Sequence, residues 1–158
     1  MNNDIGKLGR LEKVDVRSVW PTEDGHFTRW LGEDENLRQL AQDLGLDFST
    51  VSTEEAVGPF SADIFCVRTD DDSSVVIENQ FGRTDHDHLG KLLTYAAGLE
   101  ARTMIWVSEG FTDEHRAAID MLNNTTNEDF NYFGVEIEVL RIGDSEPAPR
   151  FNVVAQPN

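Results

Sequence analysis

Two apolar segments, each interrupted by one carboxylate, constrain the fold more than any other feature of this sequence. They run from Ser61 to Arg68 and from Ser74 to Gln80, and the acidic turn Asp70-Asp71-Asp72-Ser73 separates them. Segments rich in Ile, Val and Phe on either side of turn residues are typical of a β-hairpin. We therefore predict two neighbouring strands, with Asp63 in the first and Glu78 in the second.

The two carboxylates point to a candidate metal site. A carboxylate buried in a central strand without a partner is costly, and two on adjacent strands can hold a divalent cation through oxygen ligands. Gln80 lies two residues beyond Glu78 and therefore points the same way. Such a cation lowers the pKa of bound water and stabilises charge that develops on a phosphate. The alternative is a structural ion pair between these acids and an arginine.

The rest of the chain alternates between helical and strand patterns. Helical spacing of leucines begins at Trp30 and ends at Gly45, and Thr112 has the position of a helix cap. Residues 1–29 are expected to be an arm with one short strand, and 30–154 the core of a single domain, 1–158. The remaining predicted elements are the strands 46–53, 103–107, 133–142 and 151–154, and the helices 85–99 and from 112 to a break at 123–126. This order predicts a mixed α/β layered domain.

Composition excludes several classes of protein. The 158 residues suffice for one domain, no run approaches eighteen apolar residues, and the first ten residues are not a secretory signal. A single cysteine, Cys66, excludes an internal disulfide and a four-thiolate zinc site. We therefore expect a cytoplasmic protein that does not enter a membrane.

The formal charge of −17 argues mildly against a DNA or RNA partner, since proteins that bind nucleic acid usually carry a basic patch. Either the protein avoids nucleic acid, or its contacts with a nucleic-acid substrate are local and assisted by a metal ion. Adaptation to high salt is another explanation of this charge, because salt screens repulsion between surface acids.

At the hairpin and the helix after it, the sequence resembles the PD-(D/E)XK nuclease superfamily. Asp63 matches the first acid of that signature, and Glu78-Asn79-Gln80 matches its Glu-x-Lys. The helical segment His88 to Tyr95 is similar to the helix that carries further polar site residues, and Glu35 has the position of an additional metal-binding acid. The stretch from Val75-Val76-Ile77-Glu78-Asn79-Gln80 through Leu92-Leu93-Thr94-Tyr95-Ala96 also resembles a group of uncharacterised bacterial and archaeal proteins with this domain at the N-terminus. By that resemblance the chain is expected to be either the N-terminal module of a longer protein or a short stand-alone version of one.

The resemblance implies a restriction-endonuclease-like three-layer α/β domain and a nuclease that requires Mg²⁺ or Mn²⁺. Asp63, Glu78 and Glu35 would hold the metal, and Gln80 would position the attacking water. Cleavage would expel the 3′-oxygen and leave a 5′-phosphate. The implied substrate is nucleic acid, with DNA favoured over RNA, and a homodimer or a fused partner domain is compatible with the family.

Gln80 departs from the family pattern because its amide cannot supply the positive charge of the usual lysine. Lys91 shares a predicted helix face with His88 and Tyr95, so we expect it to supply the displaced charge. Arg83, Tyr95 and His88 are the expected substrate-binding residues.

Simpler interpretations stand beside these. Lys91 is otherwise a solvated helix residue, and Glu35 a first-turn acid that the helix dipole favours. The alternative function is a catalytically inactive module of the nuclease fold that binds nucleic acid or a protein partner.

Overall fold

A computed structural model describes residues 6–158, except the side chains of Thr50 and Val51. Residues 1–5 of the predicted arm lie outside the described residues. The strands are β1 (Leu11–Val14), β2 (Phe48–Val57), β3 (Phe60–Arg68), β4 (Ser74–Arg83), β5 (Thr103–Gly110), β6 (Asn131–Ile142) and β7 (Ala148–Ala155). The helices are α1 (Val16–Val19), a π-helical turn (Glu23–Thr28), α2 (Arg29–Leu31), α3 (Asp34–Asp43), α4 (His86–Gly98) and α5 (Asp113–Thr125).

The seven strands form one mixed sheet in the order β2-β3-β4-β5-β6-β1, with β7 also paired to β6. β2, β3 and β4 pair antiparallel, whereas β4, β5 and β6 run parallel. The β3–β4 hairpin is the one predicted from the sequence, with Ile64 opposite Ile77. The parallel connections through α4 and α5 are the crossovers that parallel strands require.

Hydrophobic side chains pack on both faces of the sheet. One cluster joins Trp20, directly after α1, Phe27 of the π-helical turn and Leu40 of α3 to strand residues such as Ile77. The other joins Leu92 and Ala96 of α4 and Ile119 of α5 to strand residues that include Val76 and Trp106. The sheet therefore lies between two helical layers, which confirms the predicted mixed α/β layered architecture. No helix of residues 6–158 is long and apolar enough to cross a lipid bilayer.

Side-chain caps define where the two long helices begin. Asp85 accepts a hydrogen bond from the His88 backbone N–H at 2.8 Å, and Thr112 accepts one from the His115 N–H at 3.0 Å. Both satisfy N–H groups that lack a partner within the helix. The cap predicted at Thr112 is thus confirmed.

The N-terminal third differs from its prediction. The expected helix from Trp30 to Leu44 is two helices, α2 and α3, separated at Gly32 and Glu33. The segment expected as an arm contains the predicted strand, but it also forms helical turns that bury Trp20 and Phe27. The aromatic residues there give no helical period, which is why the sequence pattern missed these turns.

Candidate active site

Asp63 and Glu78 lie side by side at the centre of the sheet. The paired residues Ile64 and Ile77 bring the positions just before and just after them together. Both side chains are more than nine-tenths buried, with 7% and 3% of their surfaces exposed. The Asn79 backbone N–H donates to Asp63 Oδ2 at 2.8 Å. The predicted proximity of the two acids is therefore present in the structure.

Burial makes ionisation of both acids unfavourable. Burial raises the pKa of Asp63 to about 7, against the opposing effect of the Asn79 hydrogen bond. Burial, and then the charge of Asp63, raise the pKa of Glu78 to about 9. A pair of buried carboxylates with raised pKa values is a frequent property of catalytic and metal-binding sites.

Three further carboxylates surround the pair. Glu54 lies on β2, in the stretch where Thr53 pairs with Ile64 and Glu55 with Ala62, and therefore faces Asp63. Carboxylate oxygens of Asp24, Glu54 and Asp63 all lie within 4.8 Å of one another. Glu23, on the π-helical turn, accepts the Phe81 N–H at 2.5 Å, and burial raises its pKa.

The acids line a cleft of about 390 Å³ between the β2–β3 hairpin, the π-helical turn and α4. Helix α4 contributes His88, Lys91 and Tyr95 to its wall, three of the residues predicted from the sequence. The Lys91 ammonium lies 3.1 Å from Asp87, and its charge also acts on Glu78. His88 Nδ1 lies 2.8 Å from Asp85 Oδ1.

Gln80 is buried beside the cleft and is held at both ends of its amide. Its Nε2 donates to the Arg83 carbonyl at 2.6 Å, and its Oε1 accepts from the Trp106 indole N–H at 3.1 Å. Gln80 is not among the described residues that line the cleft. The amide therefore fixes the end of β4 against β5 in this conformation.

Two predicted residues lie elsewhere. Glu35 is exposed in the first turn of α3, and Arg83 is exposed at the end of β4. Neither belongs to the described lining of the cleft. The π-helical turn provides the additional acids instead, through Glu23 and Asp24.

Sequence reasoning missed Glu23, Asp24 and Glu54 for different reasons. Pro21-Thr22-Glu23-Asp24 has the composition of a helix start, and Thr22 does accept the Gly25 N–H. This helix-start pattern could therefore have predicted a helical turn at Glu23 and Asp24. Glu54 has a backbone φ of +54°, which departs from the extended strand conformation, and no residue pattern indicates that it faces Asp63.

The residues of the cleft fit a divalent cation. Oε2 of Glu78 is buried without a hydrogen-bond partner among the described residues, and such an atom costs free energy unless something compensates it. Five carboxylates line the cleft, with Lys91 as its one described ammonium group. Carboxylate oxygens are the preferred ligands of Mg²⁺ and Ca²⁺. A cation bound by Asp63 and Glu78 would reduce the repulsion between the two carboxylates and would give Glu78 Oε2 the partner that it lacks.

No protein-family model matches the sequence, and no curated protein matches it significantly. Among solved structures, a crystal structure of a repair endonuclease from Pyrococcus abyssi is similar, with a TM-score of 0.54 and 16% sequence identity. The match covers 73% of this chain and 47% of that chain, so the chain spans about half the length of the endonuclease. At this identity the likeness shows the fold alone: the chain has a nuclease-like α/β fold.

Proposed function

We propose that the protein is a divalent-metal-dependent nuclease that hydrolyses phosphodiester bonds, in DNA in preference to RNA. The buried pair Asp63 and Glu78 carries this proposal, because two adjacent acids with raised pKa values and an unpartnered Glu78 oxygen need a cation. The similar structure of a repair endonuclease supports a nucleic-acid substrate.

Asp63 and Glu78 would hold Mg²⁺ or Mn²⁺, which supplies positive charge to the phosphate and lowers the pKa of water. Lys91 lies on the wall of the same cleft, and its ammonium donates to a non-bridging phosphate oxygen. Water attacks phosphorus as the bond to the 3′-oxygen breaks, and the departing 3′-oxygen takes a proton from solvent, which leaves a 5′-phosphate and a 3′-hydroxyl. Glu54, whose pKa burial raises, accepts the proton that the water loses.

Tyr95 and His88 flank Lys91 on the cleft wall and contact the sugar–phosphate chain of the substrate. Gln80 acts as a positioning residue, since its two hydrogen bonds hold the end of β4 that follows Glu78. The positive charge at the site then comes from α4 and not from the strand.

The second candidate is a nuclease-fold module that binds nucleic acid or protein without turnover. The hydrogen bonds of Gln80 to Trp106 and to the Arg83 carbonyl favour this candidate. At the position where the nuclease superfamily that the sequence resembles carries lysine, this chain provides neither a positive charge nor a free amide.

A cleavage assay separates the two candidates. Plasmid, linear duplex, single-stranded DNA and RNA are incubated with the protein in Mn²⁺ or EDTA, at low and at molar salt. We expect metal-dependent cutting by the wild type and by Lys7→Ala, an exposed lysine outside the described cleft lining. Glu78→Gln and Lys91→Ala should each lower the rate by about a hundredfold or more, as expected for loss of transition-state stabilisation.

Circular dichroism and thermal unfolding establish that each variant is folded. Intact substrates in every condition, from folded wild-type protein, contradict the nuclease proposal and favour the binding module. Cutting by Glu78→Gln at the wild-type rate also contradicts the proposed site.

A further inference from the structure

A second hollow opens directly beside the cleft. It has a volume of about 330 Å³, within the range of small-molecule sites. Phe60, Lys91 and Tyr95 line both the hollow and the cleft, so the two are continuous. The floor of the hollow is the outer surface of α4, at Gly90 and Thr94.

Phe60 stands at the rim of this hollow with 57% of its surface exposed. It is the first residue of β3, directly after the Gly58-Pro59 turn, and Gly58 has a φ of +59°. Its ring centroid lies 6.2 Å from that of Tyr95, with 33° between the planes. An aromatic ring that remains this exposed contributes little to the core, but it offers a face on which another ring can stack.

Gly90 has no structural explanation within the fold. It lies inside the 13-residue helix α4, where glycine is among the least favourable residues. A Cβ at Gly90 meets nothing within 4 Å, whereas a Cβ at Gly98 of the same helix lies 2.5 Å from Val57 Cγ1. Packing therefore accounts for Gly98 but not for Gly90. The missing side chain at Gly90 keeps the floor of the hollow open.

We propose that this hollow is a subsite for one unpaired base of the substrate strand, which stacks on Phe60 over Gly90. The inference rests on the proposed nuclease function. Lys91 lies where the hollow and the cleft meet, so a base in the hollow places its own phosphate next to Lys91. A base inside a duplex is already stacked and paired, and therefore does not present its face to Phe60. The substrate class is nucleic acid with an unpaired nucleotide next to the cut.

Binding and cleavage of matched oligonucleotides test this subsite. Fluorescence anisotropy measures the Kd of the protein for a single strand, the same strand with one abasic position, and a blunt duplex, with Ca²⁺ present. We expect Phe60→Ala to raise the Kd for the single strand about 5- to 100-fold, the range for loss of one base–aromatic stack. Phe60→Trp should retain tight binding, and Met121→Ala, an equally exposed apolar residue on α5, serves as the control.

Three further results are expected from the same experiment. Gly90→Leu, which fills the hollow, should weaken single-strand binding as Phe60→Ala does, while its melting temperature does not fall. An abasic position in the hollow should weaken binding by the wild type but cause no further loss in Phe60→Ala. Blunt-duplex binding should change by less than about twofold in either variant, well below the effect of one stacked base.

The outcomes distinguish failure of the subsite from failure of the nuclease proposal. If the wild type cuts nucleic acid and Phe60→Ala cuts and binds single strands equally well, the subsite is wrong and the nuclease stands. If single strands bind through Phe60 but no substrate is cut, the subsite stands and the nuclease proposal fails. Equal losses on duplex and single strand, or no single-strand binding by the wild type, overturn the subsite.

Discussion

At the scale of single residues, the site depends on two acids whose burial lowers the stability of the folded chain when they are ionised. Asp63 and Glu78 are more than nine-tenths buried, which raises the pKa of both carboxyl groups, and the charge of Asp63 further raises the pKa of Glu78. Unpaired buried charges are among the most destabilising features of a fold. The pair therefore stores an electrostatic cost that binding of a cation relieves.

The metal-free protein should lose stability as the pH rises. Asp63 and Glu78 have ordinary pKa values of 3.8 and 4.5, and the folded chain raises them to about 7 and about 9. The folded state then binds more protons than the unfolded state. The stability that this proton binding contributes to the folded state is fully present below about pH 4, and it is lost as the pH rises through 7 and 9. Because each pKa unit corresponds to about 1.4 kcal/mol, the two shifts together should lower the free energy of unfolding by several kcal/mol between pH 4 and pH 9.

Urea unfolding in EDTA from pH 4 to pH 9 measures this dependence. Glu78→Gln should flatten it, whereas Glu35→Gln, at an exposed acid, should follow the wild type. Identical slopes for wild type and Glu78→Gln would show that the pair is not the source.

The sequence is sufficient to predict some of these residues and not others. Asp63 and Glu78 could be predicted because an acid within an apolar strand conflicts with its surroundings. The hydrogen bond between Gln80 and Trp106 could not be predicted, since Trp106 lies 26 positions away and on another strand. Glu54 was not predicted as a site residue because its position opposite Asp63 depends on how β2 pairs with β3, which no local sequence pattern reveals.

At the scale of elements, the hairpin and α4 position the site. The β3–β4 hairpin and α4 follow their patterns closely, because strand alternation, turn residues and a side-chain cap agree there. The π-helical turn was not predicted, although it contributes Glu23 and Asp24 to the cleft. Tertiary contacts hold it: the Asn79 side chain donates to Thr28 Oγ1 at 3.1 Å, and Phe81 donates to Glu23.

The two glycines of α4 should respond in opposite ways to alanine. Gly98→Ala places a Cβ 2.5 Å from Val57 Cγ1 of β2, and overpacking of this kind costs about 1–3 kcal/mol. Gly90→Ala meets open space and should stabilise the helix by about 1 kcal/mol. Chemical denaturation of both variants measures the difference, and equal effects would contradict the close approach of α4 to β2.

At the scale of the whole molecule, negative charge dominates. The formal net charge is −17, and five carboxylates of this excess converge on one cleft. Repulsion among like charges destabilises the compact state, and salt shortens its range from about 10 Å at 0.1 M to about 3 Å at 1 M. The low count of basic residues does not oppose the proposed function if substrate contact is confined to the cleft.

Salt should therefore stabilise the protein. We expect the melting temperature in EDTA to rise between about 0.05 M and 1 M NaCl by several degrees, since about 1 kcal/mol shifts the midpoint of a domain of this size by roughly 2–4 °C. Differential scanning calorimetry at fixed pH measures the shift. A melting temperature that falls with salt would mean that specific ion pairs outweigh the general repulsion.

Titration of Mn²⁺ into wild type, Glu78→Gln and Glu35→Gln by isothermal calorimetry at one pH is the most direct test of the proposed metal site. We expect saturable binding by the wild type and by Glu35→Gln. Glu78→Gln should raise the Kd at least about tenfold, which corresponds to about 1.4 kcal/mol, because its amide removes one charged oxygen ligand from the cleft. If Glu78→Gln binds Mn²⁺ as tightly as the wild type, the buried pair Asp63 and Glu78 does not hold the cation and the proposed active site is wrong.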